Sequence, residues 1–301
     1  MYEQQLPLFD KQPTAPTLAE AMEPFRQHME QRGFAENTIK SFLGDLRIFG
    51  RYIGTTTRVN AIATPDLNRF LHYLQYERGK PCTSKSLARR LTTLKVFFKW
   101  LADSGRIPHD PAASVAHRPV ATPLPSVLSE QEVERVLAAA QSPRRGEEPD
   151  VRPYLLVRLL LDSGIKKGEC MNIRLSDVDL SNPSKPVLHV RAADARYAHY
   201  KERRLALSAE TGVALREYIE QYQPEGDLFP WTARNLEYVL ADLAKASDLH
   251  SLSFEILRMT AAVQDLKGGM DEDRLRRKLG LSEISWNDTL PKLQKLMEPP
   301  L

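Results

Sequence analysis

From Thr17 onward, apolar residues recur three and four positions apart with polar residues between them. "TLAEAMEPFRQHMEQRGF" opens on a Thr cap, and "AENTIKSFLGDLRIFGRYIG" repeats the spacing, so each reads as an amphipathic helix. "TPDLNRFLHYLQYERGK" begins Thr-Pro-Asp, and Pro65 suits the first helical position, where an N–H would lack a partner anyway. "TSKSLARRLTTLKVFFKWLADSG" is the longest of the four, with Leu87, Leu91, Leu94, Phe97, Phe98 and Leu101 along one stripe. No alternating stretch interrupts them, so residues 17–116 are predicted to form an all-helical domain of four main helices.

Residues 117–127, "HRPVATPLPSV", carry three prolines in a short polar stretch. Proline disfavours helix around itself, so this segment reads as a semi-extended linker. Helix resumes in "LSEQEVERVLAAAQS", with Ser129 as cap and Glu132 closing a capping box. Within residues 128–301 the pattern predicts helices at 151–161, 167–173, 209–222, 232–246, 253–266, 271–279 and 291–297, with Pro291 opening the last. Two short strands, "PVLHV" and "RRLALS", break the helical period. Helices around one small sheet make this second domain mixed, mainly α. Residues 1–16 are rich in Pro and Gln and are expected to be a flexible arm unless bound.

A length of 301 residues favours two domains, and 42% hydrophobic with 27% charged residues is ordinary for a globular chain. No run approaches the roughly eighteen apolar residues that read as a membrane span, and the N-terminus lacks the regions of a signal peptide. Cys82 and Cys170 lie far apart without metal-ligand spacing, so a reduced, cytoplasmic protein with no metal or cofactor is expected. The net charge of +3 says little by itself; the position of the basic residues says more. On the fourth helix Lys85, Arg89, Arg90, Lys95 and Lys99 lie mostly away from the apolar stripe, and Ser84 and Ser86 add donors where the helix dipole favours phosphate. Thr38, Lys40, Ser41, Arg47 and Arg51 hold comparable places on the second helix. One basic helix is commonly a solvated face; two in one domain point toward DNA.

Several motifs follow in order: "NTIKSFLGDLRIF", "TSKSLARRLTTLKVFFKWL", the Pro-rich linker, "LSEQEVERVL", "LLLDSGIKKGECMNIRLSDVDL", "KERRLALS", "SFEILRMTAAV" and "RKLGLSEISWNDTL". In this order they resemble the tyrosine recombinase family of the Xer and phage-integrase type, across almost the whole chain from Thr17. The resemblance implies a helical, SAM-like core-binding domain and a C-terminal α+β catalytic-fold domain with a small antiparallel sheet, together clamping duplex DNA. In that family a tyrosine attacks a phosphodiester to give a 3′-phosphotyrosyl link, aided by two arginines, a lysine and two histidines, the second often replaced by Trp.

Carried over by motif, the family's first arginine falls on Lys166 in "SGIKKGE", with Glu169 retained. Lysine keeps the charge but lacks the two-pronged fork that matches a phosphate. The family's lysine falls on Ala198 or, across a short insertion, on Lys201. In "EILR", Glu255 stands in the histidine's place and Arg258 keeps the arginine. A carboxylate there repels a phosphate unless it is neutral or paired with Arg258. The second histidine falls on Leu281 and the tyrosine on Leu290; the last tyrosine in the sequence is Tyr238, and no histidine follows His250. General-base help and oxyanion stabilisation each contribute factors of about 10² to 10⁴, so the resemblance implies a DNA-binding member without strand cleavage, in an architectural, regulatory or recombinase-partner role. The expected DNA contacts are Thr38, Lys40, Ser41, Arg47, Lys85, Arg89, Arg90, Lys95, Lys166, Lys201, Arg203 and Arg258, the protein being nucleoid-associated. Lys166 and Arg258 either hold DNA phosphate or have become intramolecular partners. An active recombinase with an atypical nucleophile is one alternative.

Another alternative comes from the arm. "QQLPLF" resembles the peptide by which bacterial proteins dock on the polymerase sliding clamp, with Gln5 at the rim and Leu6, Leu8 and Phe9 in an apolar groove. At the other end Leu290, Leu293, Leu296 and Met297 share helical spacing. That segment covers its own domain or docks into a neighbouring copy or an active recombinase.

Overall fold

The computed structural model describes residues 15–116, 124–145 and 147–298. Gln5, Leu6, Leu8, Phe9 and most of the Pro-rich stretch lie outside the described residues. The chain divides into two compact units, Met1–Pro123 and Leu124–Leu301.

The first unit is built from α1 (Leu18–Gln31), α2 (Glu36–Ile53), α3 (Thr64–His72) and α4 (Ser84–Asp103). Thr17 caps α1 by accepting from the Glu20 N–H at 3.2 Å, while Glu20 accepts from the Thr17 N–H at 2.7 Å. Their apolar stripes meet in a core where Phe25, Phe49, Phe70, Phe97 and Phe98 are fully buried. Phe25 meets Phe97 edge-on at 5.1 Å and Phe49 meets Phe70 at 5.0 Å, the geometry that aromatic quadrupoles favour. The helical spacing that follows Pro65 is not one uninterrupted α-helix: a π-helical turn, Tyr73–Glu77, ends it, with the Arg78 N–H reaching the Tyr73 carbonyl at 2.9 Å.

The second unit opens with α5 (Glu130–Arg144), whose Ser129–Glu132 capping box forms as the sequence predicts. Then come α6 (Arg152–Ser163), α7 (Lys167–Met171), β1 (Val178–Asp179), β2 (Val187–Val190), α8 (Ala198–Lys201) and β3 (Arg203–Ala206). Five more helices follow: α9 (Ala209–Tyr222), α10 (Ala233–Ala246), α11 (Phe254–Lys267), α12 (Glu272–Lys278) and α13 (Glu283–Met297). The antiparallel sheet runs β1-β2-β3, with Leu188 opposite Leu205 on the buried face. Its two-residue first strand is one more than the sequence pattern predicted, being too short to show alternation. α6 is the central element: Leu155, Leu156, Val157, Leu159 and Leu160 are all fully buried, as a helix apolar all round must be.

A second cluster joins α11, α12 and α13 through Met259, Val263, Leu275, Leu279, Trp286 and Leu293. Here the sequence expectation needs correction. Pro291 lies inside α13 and does not open it; Ser282 sets the start by accepting from the Ser285 N–H at 3.3 Å. Leu290, Leu293 and Leu296 pack into this cluster and hold the helix together past the missing N–H of Pro291. The terminal segment therefore covers its own unit. No helix among the described residues is long and apolar enough to cross a membrane.

Candidate functional site

The stretch "DSGIKKGE" forms a tight corner between α6 and α7. Gly164 ends α6 in the left-handed region (φ 59°), and a Cβ there would stand 3.0 Å from the Leu279 side chain, so both backbone and packing call for glycine. Lys166 follows at the entry to α7, its N–H donating to Glu169 Oε2 at 2.8 Å. Protein atoms crowd its ammonium and pull its pKa down, and the nearby Arg258, Lys201 and Arg203 add to this while Glu169 opposes it.

Glu169 is the hub of the corner. Arg203 donates to both its oxygens, Nη1 to Oε1 and Nη2 to Oε2, each at 3.0 Å. Arg203 also donates to the Lys278 carbonyl (2.6 Å) and the Lys201 carbonyl (2.7 Å). Gly280 leaves room for this guanidinium, since a Cβ there would lie 2.6 Å from Arg203 Nη1. Burial raises the Glu169 carboxyl, but the Arg203 fork and the Lys166 N–H outweigh it and leave the pKa lowered. Arg203, expected from the sequence on DNA, is thus turned inward, where it ties β3 to α7, α8 and α12.

Arg258 of α11 is 5% exposed. It donates through Nη1 to the Gly164 carbonyl and through Nη2 to the Leu279 carbonyl at 2.7 Å. Both acceptors sit at helix C-termini, those of α6 and α12, where the macrodipole favours a cation. Burial pulls its pKa down to about 10, and Arg203 adds to this while Glu169 and Glu255 oppose it.

Lys166 and Arg258 line a cavity of about 360 Å³, together with Lys167, Ser253, Phe254 and Glu255. Lys167 bridges to Glu237 at 2.7 Å on its edge. Glu255 is exposed in the first turn of α11. Lys166, Lys167 and Arg258 thus share the cavity lining with Glu237 and Glu255. Lys201 lies among the charges acting on Lys166, whereas Ala198, at the start of α8, brings none. Leu281 is 9% exposed, and Leu281 and Leu290 both belong to the apolar cluster of α11–α13. The hydroxyls nearby serve the helix: Ser282 caps it, bonding Ser285 Oγ at 3.1 Å, and Thr289 donates to the Ser285 carbonyl at 2.7 Å. Among the described residues no group of three or more His, Cys, Asp or Glu side chains is arranged to hold a metal ion.

On the first unit, the residues expected on DNA divide into two sets. Arg47 and Lys85 are exposed and Lys95 half-exposed, and none has a carboxylate within ion-pair distance among the described residues. Lys40 makes an exposed pair with Glu36 at 2.6 Å, and Thr38 and Ser41 are half-exposed beside it. Arg89 and Arg90 instead converge on buried Asp45, at 2.8 and 3.4 Å, with Thr93 Oγ1 donating to the same carboxylate at 3.1 Å. The Arg90 side chain is only 11% exposed. Its expected position on the polar face is therefore corrected: it bends back beneath α4 to meet Asp45. The signal was present in the sequence, since Asp45 falls between Phe42 and Phe49 near the apolar face of α2, and a buried carboxylate needs a cation. Also missed were Tyr197 and Tyr200, which gather around Lys201 between β2 and β3.

The model of the phage integrase N-terminal SAM-like domain matches residues 23–105, and that of the phage integrase family matches residues 126–287. Tyrosine recombinase XerC of Roseiflexus sp. (strain RS-1) is 26% identical over 283 residues, covering 88% of this chain and 86% of its own length. The fold is shared with the XerH site-specific recombinase bound to a palindromic difH substrate (TM-score 0.72, 16% identity, 93% of this chain and 82% of that one). It is also shared with a lambda integrase dimer bound to a COC' core site (TM-score 0.69, 17% identity, 90% of this chain and 94% of that one). The second match alone spans more than half of the sequence, and the chain belongs to the phage integrase family.

Proposed function

We propose that this chain binds duplex DNA without cleaving it, acting as an architectural or regulatory protein or as the partner of an active recombinase. The observation that carries this reading is the place of Leu290: where the resemblance sets the nucleophile, an apolar side chain packs into the unit's own cluster. Relatives named as tyrosine recombinases, and structural neighbours bound to a difH substrate and to a core site, support DNA as the ligand. We take residues 17–116 and 128–301 as the two functional domains, joined by a linker at 117–127.

Binding a phosphate asks only for charge and donors, which Lys166 and Lys201 supply in the second unit and Arg47, Lys85 and Lys95 in the first. Cleavage asks for more: a nucleophile in line with the phosphorus, and an acid to protonate the departing oxygen. Glu255, in the first turn of α11, lines the cavity where the resemblance sets a histidine, and a carboxyl group there does not reproduce an imidazole's donors. Arg258 already directs one N–H of each Nη group to a backbone carbonyl.

Affinity for random-sequence duplex, measured across a salt series, tests the reading. A linear fall of log affinity with log salt is expected, with a slope set by several neutralised phosphates. Absence of binding at low salt would refute it.

A further inference from the structure

The connection between β2 and β3 is not a simple hairpin. It folds into a 3-10 turn, Ala195–Tyr197, followed by α8. Tyr197 is 39% exposed, Tyr200 is half-buried, and the two rings meet edge-on at 6.1 Å. The Lys201 ammonium lies 4.4 Å from the Tyr197 ring centre and 5.9 Å from that of Tyr200, and His199 packs edge-on against Tyr200 at 4.9 Å. Basic residues interleaved with aromatic ones, on an exposed connection, are the ingredients of a stacking platform for bases outside a helix.

A second cavity, of about 500 Å³, has Arg191, Ala192 and Ala193, at the start of this connection, in its wall. Asn172, Arg174, His189, Arg191 and Asp227 are among the residues lining it. Glu169 lines it too, and the Arg203 held by Glu169 also bonds the Lys201 carbonyl, so the cavity wall and the foot of α8 are tied together. Arg191 and His189 are occupied, by Asp177 and Glu202. Asn172, Arg174 and Asp227 are exposed, and their side chains make no hydrogen bond with other described residues. An amide, a carboxylate and a guanidinium left open around one cavity match the edge and the phosphate of a nucleotide.

We propose that this connection and the cavity it borders hold an unpaired DNA base, stacked on the exposed Tyr197 with Tyr200 edge-on beside it, and contacted by Asn172, Arg174 and Asp227. The inference rests on the DNA-binding reading and narrows it: the preferred ligand is DNA with a displaced nucleotide, as in a bulge, gap or branch. Base–aromatic stacking outweighs an exposed ammonium on the same ring, so an arriving base displaces Lys201 from Tyr197 and frees its charge for the backbone.

Two DNAs test this: a continuous duplex, and the same duplex with one bulged 2-aminopurine. The expected result is roughly tenfold or tighter binding to the bulged DNA, with the probe's fluorescence falling as it stacks. The double variant Tyr197→Ala, Tyr200→Ala is expected to lose both the preference and the quenching while keeping its affinity for continuous duplex, which also reports that it is folded. Tyr197→Phe with Tyr200→Phe keeps both. Equal affinity for the two DNAs, or a preference that survives the double alanine variant, overturns the inference and leaves duplex binding standing. Binding to neither DNA overturns the DNA reading and the inference with it.

Discussion

Both units set arginine against a single carboxylate, and the two sites differ in how well the carboxylate is held. In the second unit Arg203 meets Glu169 with a two-pronged fork at 3.0 Å, and the Lys166 N–H completes the set. In the first, Asp45 is approached by two arginines, but Arg90 Nε stands 3.4 Å away and makes no hydrogen bond. The carboxyl groups respond in opposite directions. Burial raises both, yet donors win at Glu169, whereas at Asp45 burial prevails over Arg89, Thr93 and Arg90. Number of cations is therefore a poor guide; geometry decides. The fork also fixes the corner that carries Lys166, whereas the Asp45 site only steadies α4 beneath its exposed face.

Glu169→Ala should therefore be the more damaging change. It strands a buried Arg203 and frees the Lys166 turn, and a loss of about 3–5 kcal/mol in denaturant unfolding is expected. A loss below about 1 kcal/mol would mean the fork contributes little. Asp45→Ala should cost less, about 2 kcal/mol, because Arg89 is 42% exposed and can turn to water while Arg90 keeps a contact with Cys82. Equal losses would erase the contrast.

The cations outside these pairs should behave in the reverse way. Replacing Arg47, Lys85 and Lys95 together by Gln should leave unfolding within about 0.5 kcal/mol of the parent. It should weaken DNA binding and reduce the magnitude of the salt slope by about 3. An unchanged slope would show that DNA does not touch this face.

The smallest effect is on acid stability, and its sign separates the sites. Glu169, with its pKa lowered on folding, contributes stability that is complete above the unfolded carboxyl value of about 4.3 and is lost as pH falls through the folded value. Asp45, with its pKa raised, binds its proton more tightly when folded, so its contribution improves as pH falls through that value. Glu169→Gln should therefore flatten the acid limb of the stability curve and Asp45→Asn steepen it. Parallel shifts in unfolding free energy between pH 6 and pH 3 would contradict this assignment.

These contacts also mark where the sequence stops being legible. Helices declare themselves because a 3.6-residue period and a Ser or Thr cap are local: Thr17 before α1 and Ser129 with Glu132 before α5 both stand where caps are expected. The order of motifs carried the family. The inward turn of Arg203 was hidden because its partner Glu169 lies 34 residues away, and a basic side chain looks the same in sequence whether it meets a phosphate or a buried acid. Pro291 misled because a proline inside a helix is tolerated only where packing compensates, and the packing of Leu290 and Leu293 is tertiary. Tyr197 and Tyr200 were read past because they adjoin a strand and fall into a ring cluster only once α8 forms.

The central claim, that this family member holds DNA without breaking it, is tested most directly with a nicked suicide substrate. Any strand cut beside the nick releases a short fragment, which cannot religate and leaves the protein covalently attached. At protein concentrations that saturate the DNA, the account predicts no band of protein–DNA adduct resistant to denaturing detergent. A stable adduct, mapped by mass spectrometry to any side chain of this protein, would contradict it.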